Sequence, residues 1–362
     1  MADAAAPLRL VVLFGGRSAE HDVSCVTAVS VLSALDPGRY EVVPVGITTE
    51  GDWVLAEDAR LLVADGRAAD LPPALEARGP RLEPFSAMAG AVVLPLLHGP
   101  FGEDGTVQGA CELAGVPYVG SGVLGSAVAM DKLTAKRLMG AAGLAGPRYL
   151  GLRGPNAVDL DSLARRVEDE LGWPVFVKPS NLGSSIGVSK AGDPLELAAA
   201  VQEALGYDEW VIVEEAISGA REIECGVLGD LAPEASRPGE VRPSREFYDY
   251  RDKYEPDRAE LLVPAPLSVE VSDEVRRLAL RAFAAVRAEG MARVDFFYDE
   301  GRQGLLVNEV NTIPGFTPIS MYPKMWEASG IGYSDLIEHL VDAALERHHT
   351  RAERIGRMGR AG

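Results

Sequence analysis

RVDFFYDEGRQGLLVNEVNTIPGF, residues 293–316, concentrates more chemistry than any other stretch of the chain. Two β-prone runs, Arg293 to Tyr298 and Gly304 to Val310, flank the polar turn Asp299 to Gln303, which predicts an antiparallel hairpin. Alternation along each strand puts Arg293 and Asp295 on one face, and likewise Glu309 and Asn311. If Asp299 pairs with Leu305 around a loop spanning 300–304, Asp295 falls opposite Glu309, with Cβ atoms about 5 Å apart. Like charges opposed across a ladder destabilise it unless something positive sits between them. Two carboxylates and an Asn amide oxygen form a hard, all-oxygen set, which suits Mg²⁺ or Mn²⁺ rather than zinc. A solvated hairpin with scattered charges carries equal weight on this stretch alone, so the rest of the chain has to decide.

The 362 residues are too many for one ordinary core, and a 47% hydrophobic content supplies two or three. A net charge of −19 argues against a nucleic-acid or anionic-membrane surface. Cys25, Cys111 and Cys225 are odd in number and widely spaced, which suggests neither disulfides nor a zinc site. The start MADAAAPLRLVV lacks a basic, then long apolar, leader pattern, and no apolar run reaches membrane-spanning length, so a cytoplasmic location is expected. Lysines are few: Lys132, Lys136, Lys178, Lys190, Lys253 and Lys324. In an arginine-rich chain a retained lysine hints at a compact charge for phosphate.

From the N-terminus, the apolar run Leu8 to Phe14 ends in Gly15-Gly16, a helical pattern follows to Leu35, and Tyr40 to Thr48 reads as a second strand. Ala91 to Leu97 is a further buried strand ending at His98-Gly99. This opens a doubly wound parallel sheet, whose ligands gather beyond the strand carboxyl ends, where Gly15, Gly16, His98 and Gly99 lie. Glu20 follows the first of those ends, either as an acid at a helix N-terminus or as a ligand group. Gly120, Gly122 and Gly125 match a dinucleotide fingerprint literally, but the preceding strand is short and no acid ends a following strand at the right distance. A helix is expected from there to about Ala142, carrying Asp131 and Lys132.

PVFVKPSNLGSSIGVSK, residues 174–190, is the second dense stretch. A strand delivers Lys178, a Gly/Ser-rich turn follows, and a second strand is expected near Ile186-Gly187. Glycine and serine let backbone N–H groups close around phosphate oxygens, with Lys178 supplying charge, although this is no P-loop. WVIVEEA from Trp210 is a buried strand ending in two acids, where adenine would meet backbone near Glu215 and Ile217, and Glu222 on the next strand would reach a ribose. Residues 237–266 form a long Pro-rich excursion around EFYDYRDKYEPDRAE, read as a functional lid. Thr312 to Phe316 is a tight turn able to expose the Gly315 N–H. Leu336, Ile337, Leu340, Val341 and Ala344 mark a final amphipathic helix, and from Arg347 the chain is polar and basic, so a frayed tail over 350–362 is expected.

Together LFGGRSAEHDVS from Leu13, LLHGPFGEDGTVQGACELAGVPYVGSGVLGSAVAMDK from Leu96, VKPSNLGSSIGVSK from Val177, EFYDYRDKY from Glu246, ARVDFF and NEVNTIPGFTPISMYP resemble the D-alanine:D-alanine ligases of the ATP-grasp superfamily. The match covers almost the whole chain. It implies an α/β and α+β architecture of three domains: an N-terminal doubly wound domain (1–120), a central subdomain with the phosphate loop (121–213) and a C-terminal subdomain with lid and metal site (214–349).

The resemblance also implies a chemistry. ATP phosphorylates the carboxylate of one D-alanine, and the amine of a second attacks the acyl phosphate. Lys132 and Lys178 would contact phosphates, Glu214, Glu215 and Ile217 the adenine and Glu222 the ribose, with Phe176, Ser184, Ser185 and Asn308 also at the nucleotide. Asp295, Glu309 and Asn311 would hold two Mg²⁺ or Mn²⁺ ions. Arg293 and the Gly315 N–H would stabilise the oxyanion. Glu20 would grip the first ammonium, tied through Ser184 and Tyr254 to the lid, with His98 nearby. Lys253 would reach the transferred phosphate, and Ser320 with the Met321 backbone the second carboxylate. Lys253-Tyr254 matches ligases that join two D-alanines, unlike the His-bearing lids of D-lactate enzymes, while D-serine is less easily excluded. A homodimer is implied too. An NAD-dependent oxidoreductase rests on three glycines alone, and a catalytically dead nucleotide-binding protein would have to retain Lys178, Arg293, Asp295, Glu309 and Asn311 without using them.

Overall fold

The computed structural model describes residues 6–154, 159–243, 259–301 and 304–358. Three sheets organise it. The first contains β1 (Leu8–Gly15), β2 (Tyr40–Ile47), β3 (Trp53–Leu55) and β4 (Val92–Pro95) in the order β3-β2-β1-β4. β1 pairs parallel with both β2 and β4, while the short β3 runs antiparallel at the edge. The central β1 is apolar throughout because both of its faces are covered, and Leu10 to Phe14 are all fully buried. One face packs on the helix His21–Ala34 and the other on Thr106–Ala114.

The second sheet joins β5 (Tyr149–Arg153), β6 (Val175–Pro179), β7 (Ser189–Ala191) and β8 (Trp210–Glu215) in the antiparallel order β5-β8-β6-β7. The third comprises β9 (Arg221–Leu228), β10 (Glu234–Ala235), β11 (Gly239–Arg242), β12 (Glu260–Leu262), β13 (Met291–Asp299) and β14 (Gly304–Asn311), with the path β12-β11-β9-β13-β14. On β13, Ala292, Val294 and Phe296 are buried toward the helix Val269–Ala285, and the residues between them turn the opposite way. That alternation is what sends Arg293 and Asp295 out of the core and into a cleft.

Several local expectations change. The helix expected through Asp131 is two helices, Val123–Met130 and Lys132–Ala141, because Asp131 is extended and caps the second, accepting from the Thr134 N–H at 2.7 Å. The strand expected near Ile186 starts at Ser189. The excursion 237–266 begins and ends as the paired strands β11 and β12. The final amphipathic helix expected around Leu336 to Ala344 is present and longer, Tyr333–Met358, so residues 350–358 of the tail expected to fray continue it; Leu336, Ile337, Leu340 and Val341 complete the core beneath the first sheet. Arg347 and Arg351 hold it down, to Asp230 at 3.2 Å and Glu289 at 2.7 Å. The glycines of the apparent dinucleotide fingerprint serve packing: a Cβ on Gly125 would lie 2.3 Å from the Arg287 carbonyl oxygen.

Candidate active site

β13 and β14 pair with Asp295 opposite Glu309 and Arg293 opposite Asn311. The route to that register differs from the expected one. Asp299 pairs with Gly304, not Leu305, and a bulge between Asp295 and Phe296 absorbs the one-residue difference. The positive group among the acids is Arg293, whose Nε donates to Asp295 Oδ1 at 2.7 Å and whose Nη2 donates to Oδ2 at 2.7 Å. Asn311 Nδ2 donates to the same Oδ2 at 3.0 Å, and Glu224 on β9 lies 3.2 Å from Arg293 Nε. Burial would lower the Arg293 pKa, but Asp295 and Glu224 raise it well above the ordinary arginine value. Among the described residues no three His, Cys, Asp or Glu side chains converge as a ready metal cage. The donor set still fits a divalent cation, since Asp295, Glu309 and Asn311 face one cavity with hard oxygens and water or phosphate can complete the shell.

That cavity, about 310 Å³, runs between the second and third sheets. Its far wall carries Lys178 on β6, with Nζ 2.6 Å from Glu214, and Glu214 lies 3.1 Å from Lys136 as well. Burial alone would raise the Glu214 pKa; the two ammonium groups more than offset it and hold the carboxyl down at about 2. The neighbouring Glu215 side chain points away and is held by Arg148 at 2.6 and 2.8 Å, and its backbone N–H donates to the Arg148 carbonyl at 3.0 Å. Phe176, Ile217, Glu222 and Asn308 line the same space. Lys132 donates to the Leu182 carbonyl at 2.6 Å and approaches Glu309 at 4.0 Å. Ser184 and Ser185 take left-handed φ values of 50° and 57°, rare for residues with a Cβ, so the Gly/Ser loop is bent into a concave backbone turn at the cavity.

Beyond this loop, the Ser184 hydroxyl donates to Glu20 Oε1, joining the second sheet to the start of the first domain's helix. Gly99 and Gly183 leave room for that carboxylate: a Cβ at either would lie 2.8 or 3.0 Å from Glu20 Oε2. His98 is buried beside it, and desolvation lowers its pKa although Glu20 opposes this. Glu103 accepts from the Gly99 N–H at 2.7 Å and the Ile313 N–H at 3.3 Å, so it bridges the first and third domains. Burial and the Glu20 charge raise its pKa to about 8. Gly315 sits over Ser320, whose Oγ accepts from the Thr317 N–H at 3.1 Å and so closes the turn that precedes the helix Met321–Ala328. The Met321 side chain is buried with Val241 and Met325, so only its backbone faces outward use. Lys253 and Tyr254 lie outside the described residues.

Three residues of this constellation were not singled out from sequence: Lys136, Glu103 and Glu224. Lys136 stood among the scarce lysines, Glu103 five residues after His98, and Glu224 at the same strand parity as Glu222. Each signal existed, but none distinguishes a site residue from a solvated one without the partner across the cleft.

Models of the D-ala D-ala ligase N-terminus and C-terminus match residues 9–121 and 138–342. A D-alanine--D-alanine ligase of Thermoanaerobacter sp. is 45% identical over 353 residues, covering 95% of this chain and 98% of that protein. Among solved structures, the D-alanine-D-alanine ligase from Coxiella burnetii superposes with a TM-score of 0.80 at 36% identity, covering 97% of both chains. VanG D-Ala:D-Ser ligase from Enterococcus faecalis reaches a TM-score of 0.80 at 32% identity, covering 94% of this chain and 100% of that one.

Proposed function

The chain belongs to the D-alanine–D-alanine ligase family, and on that premise we propose that it joins two D-alanines into D-alanyl-D-alanine, with ATP converted to ADP and phosphate. The observation that carries this reading is a single cavity lined by Lys178, Glu222, Arg293, Asp295, Glu309 and Asn311, with the Glu20–Ser184 pair at the adjoining end. ATP lies along it, its adenine beside Phe176, Ile217, Asn308 and the backbone of Glu214 and Glu215, its ribose on Glu222. Lys132, Lys178 and the Ser184–Ser185 turn hold the phosphates. Divalent cations, two Mg²⁺ or Mn²⁺, held by Asp295, Glu309 and Asn311 neutralise phosphate charge when bound.

Glu20, with His98 beside it, takes the ammonium of the first D-alanine and so aims its carboxylate at the phosphate. Arg293 and the Gly315 N–H receive the negative oxygen that develops as the second amine attacks the acyl phosphate. Ser320 and the Met321 backbone hold the second carboxylate; Lys253, assigned to the transferred phosphate, and Tyr254, assigned to the Glu20–Ser184 pair, belong to a segment outside the described residues, and their roles rest on the sequence resemblance alone. We divide the chain at 120 and 213, with Tyr333–Met358 returning to the first core, and place the enzyme in the cytoplasm as a homodimer supplying cell-wall precursor synthesis. Among the described residues no helix is long and apolar enough to cross a membrane.

The test is ADP release from ATP and Mg²⁺ with D-alanine, L-alanine, D-serine or D-lactate, with product mass read in parallel. Release with D-alanine alone and the dipeptide mass is expected. A mixed product with D-serine would move the second subsite toward D-Ala:D-Ser ligation, and no turnover with any acid would overturn the reading.

A further inference from the structure

The ladder sets Glu224, Asp295 and Glu309 side by side, on β9, β13 and β14. Glu224 is buried, at 7% side-chain exposure, and Arg293 at 16% lies between it and Asp295. The proposed function asks two things of Asp295 that conflict. It is to hold a divalent cation, yet both of its oxygens accept from the Arg293 guanidinium at 2.7 Å. A cation arriving at Asp295 repels that guanidinium and competes for the same lone pairs. Stripped of Asp295, a buried arginine would be left with an uncompensated charge, which is strongly unfavourable unless a second carboxylate is within reach. Glu224 Oε2 is already 3.2 Å from the Arg293 Nε.

Resting on the metal assignment above, we infer that Glu224 is a positioning residue that retains Arg293 in the cleft when Asp295 is given over to a divalent cation. Its carboxylate lowers the cost of opening the Arg293–Asp295 pair, so it raises cation affinity through Arg293 as well as by its own charge. It also fixes the guanidinium on the β9 side of the cleft, where it keeps facing the reacting carbonyl. An exclusively structural Glu224 would stabilise the sheet without linking Arg293 to the cation.

The experiment is Mn²⁺ binding to the full chain with ADP, without turnover, read from free Mn²⁺ by electron paramagnetic resonance and corrected for Mn²⁺ held by ADP in solution. Wild type, E224Q, R293M, the double variant and D295N are compared, with thermal unfolding recorded for each. E224Q is expected to weaken Mn²⁺ binding about tenfold, and to change it less than about threefold once Arg293 is already methionine. Equal weakening in both backgrounds would show that the carboxylate acts by charge alone and overturns the inference, as would no weakening in wild type. Should E224Q fail to fold, E224D keeps the charge but withdraws it from Arg293, and unchanged Mn²⁺ affinity there overturns the inference equally. D295N separates the two readings: if it leaves Mn²⁺ binding intact, the metal assignment fails and takes this inference with it; if it weakens binding while E224Q does not, only the role of Glu224 fails.

Discussion

Glu214 places one buried negative charge between two ammonium groups, at 2.6 Å from Lys178 and 3.1 Å from Lys136. Because the two ammonium groups share the carboxylate, Lys136 on one oxygen and Lys178 on the other, the three groups together keep a net positive charge that a phosphate can meet at Lys178. Replacing Lys136 with Met should pull Lys178 fully onto Glu214 and raise the KM for ATP about tenfold, the size of one charged hydrogen bond; an unchanged KM would separate Lys136 from nucleotide binding. The same carboxyl sets an acid limit. Its folded pKa of about 2 lies below the ordinary 4.5, so its stabilisation is present above 4.5 and lost as pH falls toward 2. Glu103 has the opposite sign: raised to about 8, it costs the folded state progressively more as pH climbs from 4.5 to 8, because only the unfolded chain sheds that proton freely. Denaturant unfolding at stepped pH should show the alkaline decline flatten in E103Q and the acid decline flatten in E214Q; identical slopes in wild type and variants would refute both. Sequence made Lys178 legible through its strand and its Gly/Ser turn. Lys136 was not, because its meaning comes from Glu214, which lies on another element far along the chain.

At the scale of elements, periodicity located the hairpin, the phosphate loop and the parallel strands, since each is specified by local alternation and turn residues. Expectation and structure agree on Asp295 opposite Glu309, yet through a different turn and a compensating bulge. A bulge is decided by tertiary fit and leaves no composition signal in LLVNEVN. Capping explains another departure: Asp131 both caps Lys132–Ala141 and accepts from Ser180 Oγ at 2.8 Å, which breaks a run that reads as one helix. The helix Val269–Ala285 ends in a way that can be improved. Ala288 N–H reaches back to the Phe283 carbonyl at 3.0 Å and Arg287 N–H to Ala284 at 3.1 Å, with Arg287 left-handed at φ 58°. This is the Schellman arrangement, in which glycine normally holds the left-handed position. Arg287 is exposed and outside the cavity, so R287G should stabilise the protein by about 1 kcal/mol with catalysis unchanged. Chemical denaturation measures it, and a loss of stability would mean that the arginine side chain contributes more than its backbone strain costs.

For the molecule as a whole, the residues proposed for one reaction come from three sheets, so the site exists only while those sheets keep their mutual placement. Family-level motifs made the three-part architecture legible and apolar spacing marked the last helix, but neither its return to the first core nor its continuation past Arg347 was legible, because a polar, basic segment looks the same whether it frays or docks. Arg347 is what distinguishes the two. Its guanidinium donates to the Tyr118 carbonyl at 2.5 Å, lies over the Tyr118 ring at 5.2 Å and pairs with Asp230 at 3.2 Å, joining the first domain, the third sheet and the final helix at one buried point. Removing the arginine leaves the Asp230 charge, which is 16% exposed, with the Gly290 N–H at 2.6 Å but no positive partner, and frees the Tyr118 carbonyl as well. R347M should therefore destabilise the protein by about 3 kcal/mol. Because the domains lose a shared anchor while every residue proposed to contact substrate remains, KM for ATP and for D-alanine should rise together with little change in the ratio between them. Leu340→Ala, buried at 1% in the same helix, should cost a similar amount through a cavity, yet leave the Tyr118–Asp230 link in place and KM nearly unchanged below its unfolding temperature. If both variants raise KM equally at matched stability loss, the linkage through Arg347 is no more than general softening of the fold.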